Sequence, residues 1–295
     1  MAERSPRKRQ VHHGRVVRSE TLTPHMTRVV LGGEGLAAFP EGEQTDRYVK
    51  LLFPVPGVEY PEPFDIAAIR ADFPRDQWPT TRTYTVRDWD PAARELTLDF
   101  VVHGDAGLAG PWARQARAGD EIRFLGPGGG YAPDPDAGWH LLAGDESALP
   151  AIAVALERLK TLAEQAGSGS GAAPPVRALI EVAGPEEEQK LAAPEHAEVT
   201  WLHRGSHRVG EQLIAAVRES EFPADRVQAF VHGEAGFVKE LRRHLRLERG
   251  VQRESLSISG YWRLGHDEDG WQASKKEWNA RVEAEQEGAA AQPTA

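Results

Sequence analysis

The first half of the chain alternates hydrophobic and polar residues in short runs that end at glycine, proline or aspartate. Because side chains alternate across a strand, five such runs predict strands. The runs are HHGRVVRSETLTPHMTRVVLGG (12–33), DRYVKLLFPVPG (46–57), RTYTVRDWD (82–90), RELTLDFVVHGD (94–105) and GDEIRFLGPGGGY (119–131). Short strands separated by turn signals favour an antiparallel barrel. Residues 59–79, between the second and third runs, are predicted to form a long loop with one helical turn.

In the second half the period changes, and apolar strands alternate with amphipathic helices. Strands are predicted at the start of segments 139–167, 176–184, 198–205 and 227–250. Helices are predicted in the later part of 139–167, in 210–222 and in the later part of 227–250. Such alternation predicts a parallel sheet with crossover helices. The remaining predictions are a final strand and loop in 255–271, a helix in 272–288, a disordered tail in 289–295 and a flexible loop in GSGSGAAPP (167–175).

The two patterns meet at YAPDPDAGW (131–139), whose prolines and aspartates are typical of a linker. A length of 295 residues also suits two domains. The fold class that we predict is therefore an antiparallel β-barrel plus an α/β domain. The barrel domain spans residues 11–134, the α/β domain spans 139–265, and a C-terminal helix with a disordered tail spans 266–295.

Composition narrows the chemistry. The chain has no cysteine, which excludes disulfides, thiolate zinc sites and cysteine-ligated iron–sulfur clusters within it. Its 45 Asp and Glu against 35 Lys and Arg give a net charge of -10, which disfavours general nucleic-acid binding. No apolar run reaches the ~18 residues of a membrane span, and the basic start MAERSPRKRQVHHG lacks the apolar core of a signal peptide. We expect a cytoplasmic monomer without stable membrane association.

The strand RTYTVR (82–87) combines arginines, an aromatic ring and hydroxyl groups. Alone, it is equally typical of a barrel strand with solvated charges. The next strand changes this, because DFVVHGDAGLAGPWA (99–113) adds a histidine, a glycine-rich turn and a helix start. A helix start directs N–H groups at an anion, an arginine binds phosphate bidentately, and a tyrosine stacks on a flat ring. A flavin with a diphosphate tail fits these groups.

Two strand-to-helix turns in the second half, LLAGDESALPAI (141–152) and VHGEAGFV (231–238), fall at carboxyl ends of parallel strands, where such sheets bind ligands. The first turn is also explained as a capped helix. Neither is a G-x-G-x-x-G fingerprint, so an ordinary Rossmann interpretation is weak. The basic loop WLHRGSHRVG (201–210) suits either the 2′-phosphate of NADPH or a solvated loop. Its histidines lack the spacing of a metal site. The basic residues of this loop are His203, Arg204, His207 and Arg208.

The motifs RTYTVR, DFVVHG, GDEIRFLGPGG, GDESALPAI and SGYWRLG together resemble the siderophore-interacting protein family, whose members are FAD-dependent ferric-siderophore reductases with a ferredoxin reductase-like fold. The resemblance covers residues 11–280, and the motifs occur in the family's order. It implies that electrons pass from NAD(P)H through FAD to the Fe(III) of a ferric siderophore. Fe(II) then leaves, because it binds hard oxygen chelators more weakly.

The resemblance also implies site residues, none of them a catalytic side chain or a metal ligand. The FAD residues are Arg82, Tyr84, Thr85, Val86, Asp99, Val101, His103, Ala109, Gly110, Trp112 and Ala113. The residues at the nicotinamide face are Gly144, Asp145, Glu146, Ser147, Ala148, Gly233, Glu234 and Ala235. The ferric-siderophore residues are Lys50 and Arg263, with Arg47 as a weaker third candidate. The family's phosphate-binding serine is replaced here by Gly110, so backbone N–H groups must serve instead.

Taken on the sequence alone, Arg47 and Lys50 also fit a solvated strand edge. Two other functions stay open. One is a different NAD(P)H:flavin oxidoreductase or an electron supplier to a partner protein. The other is a siderophore or flavin carrier that does not turn over. The sequence identifies neither the siderophore nor the preferred nicotinamide.

Overall fold

Residues 10–105, 107–166, 174–223 and 226–290 are described by a computed structural model of the chain. The chain divides into two compact units, and the boundary lies between Gly129 and Gly130. The predicted linker at 131–139 follows directly after this boundary. Most of the predicted loop 167–175 and the last five residues of the predicted tail lie outside the described residues. The domain ranges given above remain predictions.

The first unit is a closed antiparallel barrel, which confirms the first half of the fold prediction. Its strand order is β1-β2-β5-β4-β3-β6, and every neighbouring pair is antiparallel. The first predicted run contains two strands, because the chain turns between Thr23 and Met26. The strands are β1 Val11–Thr23, β2 Met26–Gly32, β3 Tyr48–Phe53, β4 Thr80–Asp90, β5 Glu95–Val101 and β6 Glu121–Gly128.

The barrel core follows from the period-two pattern of its strands. Leu96, Leu98 and Phe100 alternate along β5 and are fully buried, as are Val49 and Leu51 on β3. Side chains of alternate residues share one face of a strand, so these five line the interior. The residues between them point to the opposite face of each strand, and this face carries the polar side chains.

Two short helices flank the barrel strands. Helix α1 spans Ile66–Asp72, so the segment that was predicted to hold one helical turn forms a longer helix. Asp65 caps it, because its Oδ1 accepts a hydrogen bond from the N–H of Ala67 at 2.7 Å. Helix α2 spans Ala109–Gln115 and follows the glycine-rich turn after β5.

The second unit is a five-stranded parallel sheet of order β11-β10-β7-β8-β9, which confirms the second half of the fold prediction. Successive strands β7, β8 and β9 run outwards on one side, and β10 and β11 run outwards on the other. The strand order therefore reverses between β7 and β10, where open sheets of this type bind ligands. The strands are β7 Trp139–Asp145, β8 Val176–Val182, β9 Ala197–His203, β10 Val227–Glu234 and β11 Leu256–Trp262.

Within its described residues this unit has four α-helices: α3 Leu149–Ala166, α4 Glu211–Glu219, α5 Ala235–Arg243 and α6 Glu268–Ala290. Helix α5 continues as a π-helical turn over His244–Glu248. Helix α6 begins four residues before the predicted position, and it includes two residues that were predicted as tail, Ala289 and Ala290. None of the described helices combines the length and the hydropathy needed to cross a bilayer.

Candidate functional site

Strand β4 places Arg82, Tyr84 and Val86 on one face. Val86 is buried in the barrel core, and the ring of Tyr84 packs on Phe100 with centroids 4.1 Å apart. Arg82 is half-buried, and its Nη1 donates a hydrogen bond to the carbonyl of Thr81 at 2.8 Å. The barrel core thus holds β4 by Val86 and Tyr84, while Arg82 lies one step further along the same face.

Thr85 lies on the other face of β4 and is buried. It stands opposite Tyr48 in the pairing with β3. The next N–H, that of Val86, donates to the carbonyl of Arg47 at 2.7 Å, and the pairing with β5 then shifts register between Val86 and Asp88. A bulge re-aims the side chains next to it, so β4 changes direction directly after its predicted flavin residues.

Asp99, a predicted FAD residue, is held by arginines of the barrel itself. Both of its carboxylate oxygens accept hydrogen bonds from Arg28 on β2, each at 2.7 Å. The Nε of Arg87 lies 4.0 Å from Oδ2. The carboxylate is buried at 4% exposure, so its charge needs these partners. These contacts give Asp99 a structural role in the pairing of three strands.

The turn between β5 and α2 presents backbone to open space. Gly104 and Gly107 have φ values of 59° and 85°, which favour glycine. A Cβ at either position would meet no atom within 4 Å. His103 is exposed at the start of this turn, and Val101 before it is half-buried. A ligand can therefore approach the backbone of the turn closely.

Helix α2 turns its side chains into the barrel. Ala109 and Ala113 are buried in the core, and Trp112 packs edge-on against Phe53 and tilted against Phe100, with centroids at 5.8 and 5.6 Å. The side chains of these three predicted FAD residues therefore pack within the barrel unit. At Gly110 a Cβ would have its nearest neighbour at 3.5 Å, which leaves room for a small side chain.

The polar groups of the first unit fit FAD. Arg82 supplies a guanidinium that matches phosphate oxygens, and the open glycine turn supplies N–H groups for the same diphosphate. Tyr84 and Thr85 supply a ring and a hydroxyl on adjacent positions of β4. These groups therefore come from one strand, β4, and from the turn that follows β5.

In the second unit, Asp145 lies at the end of β7, beside the reversal of strand order. It is completely buried, and four donors reach its carboxylate. These are the N–H and O–H of Ser147 at 2.9 and 2.5 Å, the N–H of Glu234 at 2.8 Å and the indole N–H of Trp262 at 2.8 Å. Burial, together with the charge of Glu146, raises the pKa of Asp145 to about 7, although the donors act in the opposite direction.

Glu234 closes β10 and caps helix α5. Its Oε2 accepts from the N–H groups of Gly236 and Phe237 at 2.6 and 3.2 Å. Its Oε1 accepts from the N–H of Leu264 at 3.1 Å, which fixes the segment after β11. Glu234 therefore holds two parts of the fold together.

The glycines at this point are required by packing within the unit. A Cβ at Gly144 would lie 2.6 Å from Ala148 Cβ, and one at Gly233 would lie 2.6 Å from Asp145 Cγ. Gly233 also has a φ of 140°. Ala148 and Ala235, predicted with them, are buried. A larger residue at Gly233 would therefore disturb the sheet itself rather than report on ligand binding.

Arg204, in the basic loop after β9, is engaged by two carboxylates. Its Nη2 lies 2.6 Å from Glu146 Oε1, and its Nη1 lies 3.3 Å from Glu181 Oε1. The hydrogen bond to Glu146 raises the pKa of Arg204, and burial raises the pKa of Glu181. Glu181 also accepts from the N–H of Gly210 at 2.8 Å.

The other basic side chains of this loop also face carboxylates. His203 lies 2.7 Å from Glu188, while His207 and Arg208 lie 3.4 and 3.6 Å from Glu211. Of the two interpretations of this loop, these pairs favour the solvated loop over a site prepared for a 2′-phosphate. Among the residues that the structure describes, no group of three His, Asp or Glu is placed to hold a metal ion.

The three predicted siderophore residues have different surroundings. Lys50 is half-buried on β3, opposite Thr83 of β4. Arg47 is buried at 8% exposure, donates to the carbonyl of Pro40 and stacks 5.2 Å above the ring of Phe39. Burial lowers the pKa of Arg47. Arg263, directly after β11, is half-buried and lies 4.0 Å above the ring of Trp278. The guanidinium of Arg47 is thus engaged by Pro40 and Phe39 within the barrel unit.

Comparison with known proteins decides the family. Residues 15–131 match the model of the siderophore-interacting FAD-binding domain, and residues 137–265 match the model of the siderophore-interacting protein. The chain belongs to the siderophore-interacting protein family. Its first unit therefore contains the FAD-binding domain of that family, and the ferredoxin reductase-like fold is confirmed.

Relatives of this family member cover most of its length. An uncharacterized protein of Mycobacterium tuberculosis (strain H37Rv) is 46% identical over 91% of this chain and 96% of its own length. The ferric vibriobactin reductase ViuB of Vibrio cholerae is 32% identical over 86% of this chain and 90% of its own. A siderophore utilization protein from T. fusca, solved as a crystal structure, has a TM-score of 0.70 at 37% identity, covering 88% of this chain and 95% of its own.

Sequence reasoning missed several residues that organise these sites. Arg28 binds Asp99 from 71 positions away, and Glu181 meets Arg204 across 23 positions. Trp278 lies in the predicted helix 272–288, but its contact with Arg263 was not predicted. A basic residue on a predicted barrel strand and a glutamate near the end of a predicted parallel strand were visible signals. Their partners depend on strand pairing, which the pattern alone does not provide.

Proposed function

We propose that this protein is a ferric-siderophore reductase that uses FAD and takes its electrons from NADH or NADPH. Support comes from the family, from the relative named as a ferric vibriobactin reductase and from the donors around β4. The observation that carries the proposal is the pairing of Arg82 and Tyr84 with an open glycine turn at Gly104 and Gly107. When bound, FAD supplies the conversion between two-electron and one-electron transfer that iron reduction requires.

In the barrel, Arg82 would neutralise the diphosphate together with the backbone of the turn that begins at His103. Tyr84 would stack on the flavin ring from a position that its contact with Phe100 fixes. Thr85 would donate or accept a hydrogen bond with its hydroxyl. Asp99 is left out of the contact set, because Arg28 engages both of its oxygens.

In the second unit, the nicotinamide nucleotide would lie where the strand order reverses between β7 and β10. Glu146, at 13% side-chain exposure, accepts hydrogen bonds from Arg204 at both of its oxygens, so it would act on the nucleotide through this ion pair rather than as a direct acceptor. Asp145 and Glu234 would contribute to nucleotide binding indirectly, because their carboxylates fix the backbone of the turns around them. The carboxylates around Arg204 oppose a 2′-phosphate, so we propose NADH as the better donor.

The ferric siderophore would be attracted by Lys50 of the first unit and, as a separate proposal, by Arg263 of the second unit. Ferric complexes of oxygen chelators are often anionic, and a chain of net charge -10 needs local cations to attract them. Arg47 is left out of this proposed site, because its guanidinium is buried against Phe39 and Pro40. The cations would position the chelate and lower its charge repulsion, while electron transfer needs no proton from either residue.

The test is anaerobic stopped-flow on both half-reactions of the purified protein, with NADH and NADPH as donors and a panel of ferric chelates as acceptors. Arg82→Ala should weaken FAD retention about tenfold or more, because a charge-assisted contact of roughly 1.5–3 kcal/mol is lost. The control is Arg75→Ala, which removes an exposed arginine of the same unit.

The outcomes separate the alternatives. A wild-type protein that is colourless and cannot be reconstituted with FAD contradicts the flavoprotein proposal. A yellow protein that no nicotinamide reduces indicates a carrier. A protein that is reduced by NADH or NADPH but reoxidised by no ferric chelate indicates a flavin reductase or an electron supplier to a partner.

A further inference from the structure

Arg263 is stacked on an aromatic ring of the C-terminal helix. Its Cζ lies 4.0 Å from the centroid of Trp278, well within cation–π distance. Such stacking uses the flat face of the guanidinium. The five N–H donors lie in the plane of the group and point outwards. The contact therefore orients Arg263 without consuming the donors that would bind an anionic ligand.

The backbone around Arg263 is fixed by both of its neighbours. The indole N–H of Trp262 donates to Asp145 at 2.8 Å, and the N–H of Leu264 donates to Glu234 at 3.1 Å. The carbonyl of Arg263 itself accepts from the N–H of His266 at 3.1 Å. The Cα position of Arg263 is thus set by the sheet, which leaves the direction of its long side chain to be set by Trp278.

Helix α6 is anchored so that it can serve as a fixed support. Trp271, at 1% exposure, packs close to Gly260, where a Cβ would lie 3.1 Å from its ring. Three polar pairs join the helix to the body of the unit further along. They are Lys239–Glu285 at 2.6 Å, Arg242–Gln286 at 2.6 Å and Arg253–Glu283 at 2.9 Å.

We propose that Trp278 is a positioning residue for the substrate, and that α6 serves to hold the guanidinium of Arg263 ready for an anionic ferric chelate. This inference rests on the proposed function, because it takes Arg263 as a substrate-binding residue. An unsupported arginine loses side-chain entropy when it binds. The ring of Trp278 restricts that freedom beforehand, so its effect on the substrate passes through Arg263.

The test uses binding without electron transfer. The affinity of the FAD-loaded protein for two redox-inert anionic complexes, gallium(III) citrate and a gallium(III) tris-catecholate, is measured by calorimetry. Trp278→Ala should weaken binding about threefold to tenfold, the range expected for a partly exposed cation–π contact. Trp278→Phe should recover part of the loss, because it keeps an aromatic face. Gln272→Ala, an exposed neutral truncation on the same helix, is the matched control.

The double variant distinguishes positioning from a direct or purely structural role. If Trp278 acts through Arg263, then Trp278→Ala should add nothing once Arg263→Ala is present. A loss that persists in the Arg263→Ala background overturns the inference, as does a Trp278→Ala protein that binds as tightly as wild type. If Arg263→Ala has no effect, or if wild type binds neither complex, the proposed substrate site is wrong and the positioning role falls with it. Flavin reduction by nicotinamide, measured in parallel, tests the reductase proposal separately.

Discussion

At the scale of single residues, the buried carboxylate of Asp99 lies between Arg28 and Arg87. Asp99→Ala would leave Arg28 partly buried without its bidentate partner. Removing one partner of such a pair costs about 3–5 kcal/mol when burial is complete. Because Arg28 is 24% exposed, we expect a loss of about 2–3 kcal/mol in the free energy of unfolding.

The measurement is urea denaturation of the apoprotein, with Arg82→Ala as the comparison. Arg82→Ala should change the free energy of unfolding little and weaken FAD binding. Asp99→Ala should lower the free energy of unfolding, while the protein that remains folded should bind FAD with little change in affinity. If Asp99→Ala leaves the urea midpoint unchanged but weakens FAD binding, then Asp99 is a flavin residue after all.

The residue types of the candidate site could be predicted from the sequence, but the atoms that each of these residues contacts could not. Glycines at Gly144 and Gly233 indicate close approach, and the structure shows that the atoms approaching them belong to Ala148 and Asp145. Glu234 was predicted at the nicotinamide face, and the structure adds that it caps α5. A motif specifies which groups are present, whereas a tertiary contact decides whether a group is available.

At the scale of elements, the turn after β7 and the loop after β9 are joined by the ion pair of Glu146 and Arg204. Glu146→Gln would remove that charge and leave Arg204 with only Glu181. We expect the rate of flavin reduction by NADPH to rise relative to NADH, by about threefold to tenfold, because Arg204 becomes available for the 2′-phosphate.

The measurement is the ratio of flavin reduction rates with the two donors. Glu188→Gln, which frees His203 instead, is the control for charge removal in the same region. A ratio that does not change in Glu146→Gln would show that the 2′-phosphate does not reach Arg204.

Elements with a regular period were predicted more accurately than elements set by local caps. Strand β5 alternates apolar and polar residues in its sequence, and the parallel strand β7 is a short, largely apolar run. Helix α1 was underestimated, because Asp65 caps a segment that is otherwise read as loop. Helix α6 begins at Glu268 rather than at residue 272, since the buried Trp271 draws that first turn onto Gly260. A local cap therefore set the start of α1, whereas the start of α6 was set by tertiary burial, which a window of sequence does not contain.

At the scale of the whole molecule, the change of hydrophobic period near residue 135 was sufficient to predict two units of different class. What it could not provide is the order of strands in each unit. The barrel order β1-β2-β5-β4-β3-β6 brings Arg28 to Asp99, and the sheet order brings Asp145 next to Glu234, 89 positions away. Candidate sites that depend on such long-range strand pairing can be located only from the structure.

The same long-range assembly gives the protein a pH dependence that no segment has alone. The pKa of Asp145 is raised from an ordinary 3.8 to about 7, first by burial and then by Glu146. The folded protein therefore binds this proton more tightly than the unfolded chain. The resulting stabilisation is fully present below about pH 4 and is lost as the pH rises through 7. Burial lowers the pKa of His140 to about 4 and of His232 to about 3, and stability from these residues is lost as the pH falls below 6.5.

Comparing wild type with Asp145→Asn isolates the aspartate, because both proteins keep the two histidines. The variant loses hydrogen-bond geometry at every pH, since an amide N–H₂ would face donors from Ser147, Glu234 and Trp262. The gap in free energy of unfolding between the two proteins should therefore be larger at pH 5 than at pH 8, by roughly 1–3 kcal/mol. Urea denaturation at both pH values measures it. A gap that stays constant would mean that the four donors keep Asp145 ionised throughout, and that the crevice between β7 and β10 carries a permanent negative charge.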